Sequence, residues 1–292
     1  MIYLLGSIVL SSWLTLSFKF IERYRIPTLQ AIVVNYFVCV ITGALVQGDF
    51  PFSSTTLNEK WFPWALVMGT TFIVSFNIIG FTAQRMGVAV ASVANKLSLV
   101  VPFLFSIYLY QESVTVLKVA GILLALVSVW LTSMPNAAAA PSGVTQQTQL
   151  LWLPVLLFVG SGLIDTMIKY VETSYLNRTN QNAFLISAFL VAGLFGLMYM
   201  MLGIYRGNIQ WDKRSLWAGL IIGVPNYFSI WCLVQVLKAY TGNSTAIIPV
   251  NNVGIVLFST LMAMWLFREQ LSAMNWTGIA LAVIAIAMIA FG

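Results

Sequence analysis

No histidine occurs among the 292 residues, only two cysteines do, and Asp, Glu, Lys and Arg together make up just 8% of the chain. Without histidine or a cysteine cluster a transition-metal site has little to build on, and no metal is expected. The same lack removes the usual base of a Ser-His or Cys-His pair, and neither a phosphate loop nor an ATP-binding motif occurs. The chain is therefore not expected to be an enzyme, and no catalytic residue or cofactor is assigned. Cys39 and Cys232 both fall inside apolar runs, which argues against a disulfide framework and for buried small hydrophobes. Polar sequence long enough for a large aqueous domain is also missing.

What remains is apolar: 60% of the residues, with a mean hydropathy of +0.92, outside the range of soluble domains. This composition specifies an all-α integral membrane protein, because a helix satisfies its own backbone in lipid. The first stretch, "MIYLLGSIVLSSWLTLSFKF", lacks the positive start and small-residue cleavage site of a signal peptide and reads as a first span. The net charge of +6 comes from Lys and Arg scattered at span ends, so no nucleic-acid partner is expected. Those cations are somewhat commoner after odd-numbered spans, as at Arg23, Arg25, Arg206, Lys213 and Arg214, a bias too weak to fix orientation.

Hydropathy and turn residues divide the chain into ten expected transmembrane helices, at about 2–20, 28–47, 61–82, 87–110, 114–133, 151–173, 181–204, 214–238, 243–267 and 271–291. Between the fifth and sixth, residues 134–150 are uncharged, polar and Ala/Pro-rich, a linker between five-helix halves at 1–133 and 151–292. A shift of 157 residues places "YQESVTVLKVAGILLAL" on "FREQLSAMNWTGIALAV", matching Glu112 with Glu269, Gly121 with Gly278 and Asn95 with Asn252. A shift of 150 places "FKFIE" on "IKYVE". An odd number of spans per half makes the second copy enter the membrane with opposite orientation, so two inverted five-helix repeats are expected, a transporter architecture.

In this duplicated pattern the chain resembles the EamA-type branch of the drug/metabolite transporter superfamily, each half ending in a helix pair joined by Glu and followed nine residues later by Gly. The resemblance implies a multi-pass carrier, in a bacterial inner membrane, with alternating access. It also implies a central cavity lined largely by the first, third, fourth, sixth, eighth and ninth spans. It does not fix the substrate, since members carry amino acids, sugars, phosphate esters and cationic drugs.

Polar groups within the spans mark the candidate cavity. In "VAVASVANKLSLVVP" Lys96 lies about nine residues into a long apolar run, about 13 Å along the axis from the nearer end, too deep for full snorkelling. It is either a cavity cation that meets an anionic substrate group, or a structural lysine paired with Asp165 or with backbone carbonyls. Asn95 precedes it, and "ANK" is similar to an Asn-Lys signature that nucleotide-sugar carriers hold in the ninth helix rather than the fourth. Asp165 and Lys169, at i and i+4, form either a structural ion pair or a proton-coupling site. Thr70, Asn77 and Gln84 recur every seven residues on the third span. Asn226 and Tyr227 follow Pro225, and Asn252 follows Pro249. Each of these can instead glue helices together. Glu112 and Glu269 read as caps of the helices that follow them. Trp64, Trp152, Trp211 and Trp276 read as interface anchors.

The resulting expectation is a secondary transporter of a small polar metabolite, anionic or zwitterionic, working as a monomer or weak dimer among membrane lipids, with a proton gradient or exchange against a counter-substrate to drive it. The alternative is a proton-coupled exporter of cationic or drug-like compounds.

Overall fold

The computed structural model describes residues 2–48, 56–110, 115–134, 150–176, 180–239 and 244–291. Apart from one 3-10 turn at Thr56–Asn58, its regular elements are α-helices: α1 (Ile2–Arg23), α2 (Thr28–Gln47), α3 (Phe62–Met86), α4 (Val88–Leu97), α5 (Val100–Tyr110), α6 (Val116–Thr132), α7 (Trp152–Tyr175), α8 (Gln181–Tyr205), α9 (Arg214–Ala239), α10 (Ser244–Phe267) and α11 (Ala273–Phe291). Eight stretches within them are long and apolar enough to cross a membrane, and the chain is a multi-pass membrane protein. Most of the expected linker, residues 135–149, and Glu112 lie outside the described residues.

One span departs from expectation. Residues 87–110 were expected as a single helix, but the backbone breaks at Ser98–Leu99 between α4 and α5. Pro102 is the cause, because it has no N–H to offer the Ser98 carbonyl and its ring crowds that oxygen. Val101 N–H takes the Ser98 carbonyl instead at 2.9 Å, a tighter i→i−3 bond. The Ser98 hydroxyl meanwhile donates back to the Asn95 carbonyl at 2.5 Å, competing with helix continuation.

The chain forms two compact units, and each draws on both halves of the sequence. The first contains residues 1–19, 78–163 and 229–292, and the second residues 20–77 and 164–228. In the first unit α6 and α11 run antiparallel in close contact. An added Cβ at Gly121, near the start of α6, would lie 2.9 Å from Ile289 and 3.2 Å from the Ala285 carbonyl oxygen, near the end of α11. Gly278, near the start of α11, faces Thr132 and the Ser128 carbonyl in the same way, and the Ser128 hydroxyl donates to the Gly278 carbonyl at 2.7 Å. Small residues allow this approach, which in lipid supplies the packing that a hydrophobic effect would supply in water.

These contacts are reciprocal at the offset found in the sequence: Gly121, Ser128 and Thr132 lie 157 positions before Gly278, Ala285 and Ile289. The same exchange recurs within the first unit between α1 and α10 and between α7 and α4. Ser12 Oγ donates to the Ile255 carbonyl at 3.4 Å, and a Cβ at Gly162 would lie 2.8 Å from the Ser98 carbonyl. Position 162 follows 12 by 150, and 255 follows 98 by 157. In the second unit Gly69 of α3 sits against the Ala188 carbonyl and Val191 of α8, while Gly219 of α9 sits against the Ala31 carbonyl and Val34 of α2. Here the residue types repeat as well, Gly/Ala/Val in both places.

One core cluster of the second unit is largely aromatic and apolar. Trp61, Met68, Val171, Phe184 and Ala188 are buried together. Tyr36 donates to the Phe72 carbonyl at 2.8 Å, which lets a phenol lie in the core with its hydroxyl satisfied.

Candidate functional site

The first unit places Asn95, Lys96 and Asn252. Residues 88–94 of α4, together with Leu97, are all buried, whereas Asn95 and Lys96 are half-buried. The helix is thus sealed along its length except at its two most polar side chains. Lys96 occupies the last turn of a ten-residue helix, not the interior of an unbroken span. The negative end of the α4 dipole therefore lies beside the cation and offsets part of the cost of placing it at this depth.

Both ends of α4 are fixed. At its start Gly87 takes φ +105°, a conformation that favours glycine. There Val88 N–H donates to both Glu269 carboxylate oxygens, at 3.0 and 3.2 Å. Glu269 was expected to cap the helix that follows it. It caps α4, far away in sequence. The start of α11 is closed instead by Ser272 and Asn275, whose side chains bond each other's backbone N–H at 3.1 and 2.9 Å, a reciprocal capping box. Removing the charge should loosen the helix that carries Lys96. Glu269→Gln is expected to cost about 1 kcal/mol, read as a fall of about 2 °C in the thermal unfolding midpoint of detergent-purified protein.

α10 packs against α4 and contributes Asn251 and Asn252, both buried. Ser259 Oγ donates to Ser92 Oγ at 2.8 Å across this contact. The Asn251 Oδ1 atom, 251 being a position the sequence reading did not select, has no hydrogen-bond partner among the described residues. An unmatched acceptor at this depth costs about 1–3 kcal/mol unless a solute or water fills it.

The second unit holds the other candidates, in different settings. Asn226 is buried and donates through Nδ2 to Asn35 Oδ1 at 3.1 Å. Tyr227 is buried beside Gly43. Cys39, a free thiol, donates to the Gly223 carbonyl at 3.4 Å, so it does more than fill space. Asn35 and Cys39 complete this polar knot and were not selected from sequence; their polar neighbours on α9 arrive only through the close approach of α2 at Gly219 and Gly223. Asn77 is half-buried and turns its Nδ2 onto the Ile73 carbonyl at 2.7 Å. Thr70 is exposed, among Leu66, Val67 and Val74, with its hydroxyl on the Leu66 carbonyl at 2.8 Å. Asp165 is exposed on α7. The Lys169 side chain lies outside the described residues, and with it the expected Asp165–Lys169 pair.

No family model matches the chain. It is 25% identical over 287 residues to an uncharacterised protein of Haemophilus influenzae, covering 97% of this chain and 95% of the relative. A crystal structure at 16% identity superposes with a TM-score of 0.61, covering 98% of this chain and 94% of the other. The second likeness extends over nearly the whole chain and concerns the fold alone.

Proposed function

We propose that the protein is a secondary membrane carrier of a small anionic or zwitterionic metabolite, of the EamA type, in a bacterial inner membrane. Ten spans in two inverted repeats, 1–133 and 151–292, alternate access around a site to which Asn95, Lys96 and Asn252 contribute. The observation that carries this reading is the accessibility of Lys96 on a helix otherwise sealed. A lysine opening onto lipid costs on the order of 2.5 kcal/mol or more, which supports a polar rather than a lipid-filled space beside it. The break just beyond it supports the same reading, since discontinuous helices bring backbone polar groups to the site in carriers of inverted-repeat design.

The reciprocal glycine contacts support the repeat. Exchanged contacts between equivalent residues are what a twofold relation produces, and antiparallel packing of α6 on α11 supports an axis across the helices.

The test is solute flux into proteoliposomes from a mixed pool of amino acids, organic acids and phosphate esters, with and without a proton gradient. Saturable uptake of at least one anionic or zwitterionic solute is expected. Uptake of quaternary ammonium compounds alone would favour proton-coupled cation export instead.

A further inference from the structure

At one end of the second unit the turn after α1 and the connection between α8 and α9 are tied into one surface. Gln30, itself buried, donates to the Gln210 carbonyl at 2.6 Å and accepts from Asp212 N–H at 2.9 Å and the Ser215 hydroxyl at 3.2 Å. Arg214 reaches the Tyr24 carbonyl at 3.2 Å and pairs with Asp212 at 2.7 Å. Hydrogen bonds from the Arg214 side chain and backbone hold the Asp212 carboxyl below the usual carboxylate range. α8 ends in a fixed turn: Gly207 takes φ +72° and Asn208 N–H bonds back to the Gly203 carbonyl at 2.9 Å, closing a Schellman motif. Arg25 likewise holds a left-handed φ of +53° at the end of α1, a position that usually costs a non-glycine residue about 1–2 kcal/mol.

This surface carries Arg23, Arg25, Arg206, Lys213 and Arg214 against two acids, Glu22 and Asp212. Arg23, Arg25, Arg206 and Lys213 are exposed, and so are Tyr24, Tyr205, Trp211 and Trp217. Cations and amphipathic rings interleaved at a span end are the signature of the headgroup layer. Below it, Leu194, Leu197, Met198, Met201, Leu202 and Tyr205 line a shallow, open apolar groove along one face of α8. From position 194 to 205 the groove runs about 17 Å at 1.5 Å per residue, matching about 15 Å for one leaflet's hydrocarbon. It ends at Tyr205, beside Arg206.

We infer that this end of the second unit is a binding site for an anionic glycerophospholipid. One acyl chain lies in the α8 groove, and the phosphate meets the cationic surface at Arg206 and Lys213. A soluble phosphate would use the cations and leave the groove idle, and a zwitterionic lipid would use the groove with little gain from the charge. The inference stands apart from the transport reading, because it concerns a lipid-facing surface rather than Lys96.

The experiment is native mass spectrometry of the full chain in mild detergent, with phosphatidylglycerol and phosphatidylcholine supplied in equal amounts. Near-surface cations contribute on the order of fivefold each in binding. Phosphatidylglycerol is therefore expected to be retained over phosphatidylcholine by about tenfold or more, and Arg206→Gln/Lys213→Gln to lower that ratio at least fivefold. Met198→Ser/Leu202→Ser should reduce retention of both lipids. Equal retention of the two lipids by the wild type overturns the proposal without recourse to any variant. So does a ratio unchanged by the charge substitutions, or full displacement of phosphatidylglycerol by excess inorganic phosphate.

Discussion

Replacing Gly219 by valine is expected to cost about 3 kcal/mol or more, at the upper end of overpacking. An added Cβ there would press on Val34 and lie 3.0 Å from the Ala31 carbonyl oxygen. A flexible side chain could rotate away, but a helix backbone moves only as a whole, and α2 is held along the same seam at Gly223, against Val38 and the Asn35 carbonyl. Separating the helices would also undo the Asn226–Asn35 bond. Gly69→Val should cost the same amount for the same reason, since a Cβ there would lie 2.6 Å from both the Ala188 carbonyl and Val191. The exposed neighbour Leu220→Ala should change stability by less than about 0.5 kcal/mol. Thermal unfolding in detergent reads all three, with a fall of about 6 °C or more for either glycine variant. If one glycine variant is tolerated and the other is not, the equivalence of the two seams fails.

That equivalence was partly legible in the sequence. Lipid demands long apolar runs, so helices such as α2, α8 and α11 stand out from hydropathy alone, and Gly121 could be matched to Gly278. The matches of Gly69 with Gly219, Ala31 with Ala188 and Val34 with Val191 were present too, but at two different offsets, 150 and 157, because the connecting loops differ in length. Only their contacts bring them out.

Faces were harder to read than spans. Thr70 and Asn77 share a seven-residue spacing, yet Thr70 is exposed among apolar neighbours while Asn77 is half-buried. In lipid the outer face of a helix is as apolar as its packed face, so no polar-to-apolar contrast marks which side turns inward. A single threonine that bonds its own helix is tolerated on either side. Pro102 was visible in the sequence, but its consequence, a break that brings Lys96 to a helix end, depends on Ser98 and Val101 taking up the backbone bonds. Glu269 was legible as a cap; that it serves α4 is a tertiary fact.

The helix that Glu269 anchors leads to the largest functional effect expected. Lys96→Gln should lower uptake of an anionic or zwitterionic solute by about 10- to 100-fold, the equivalent of the 1.5–3 kcal/mol that a hydrogen bond to a charged group contributes. Uptake of a neutral solute by the same site should change little, because glutamine still donates hydrogen bonds and only the charge has gone. Stability is expected to fall by no more than about 1 kcal/mol, the scale of one cation at a helix C-terminus, since Lys96 is half-buried in the last turn of α4 rather than locked in the core. Flux into proteoliposomes at matched protein amounts, with thermal unfolding in parallel, separates the outcomes. Equal flux by Lys96→Ala and wild type would return the lysine to a structural role. A uniform loss for charged and neutral solutes would point to damaged packing around Asn95 and Ser98. Selective loss of the anion, with the fold intact, is the result that requires a cation facing the solute.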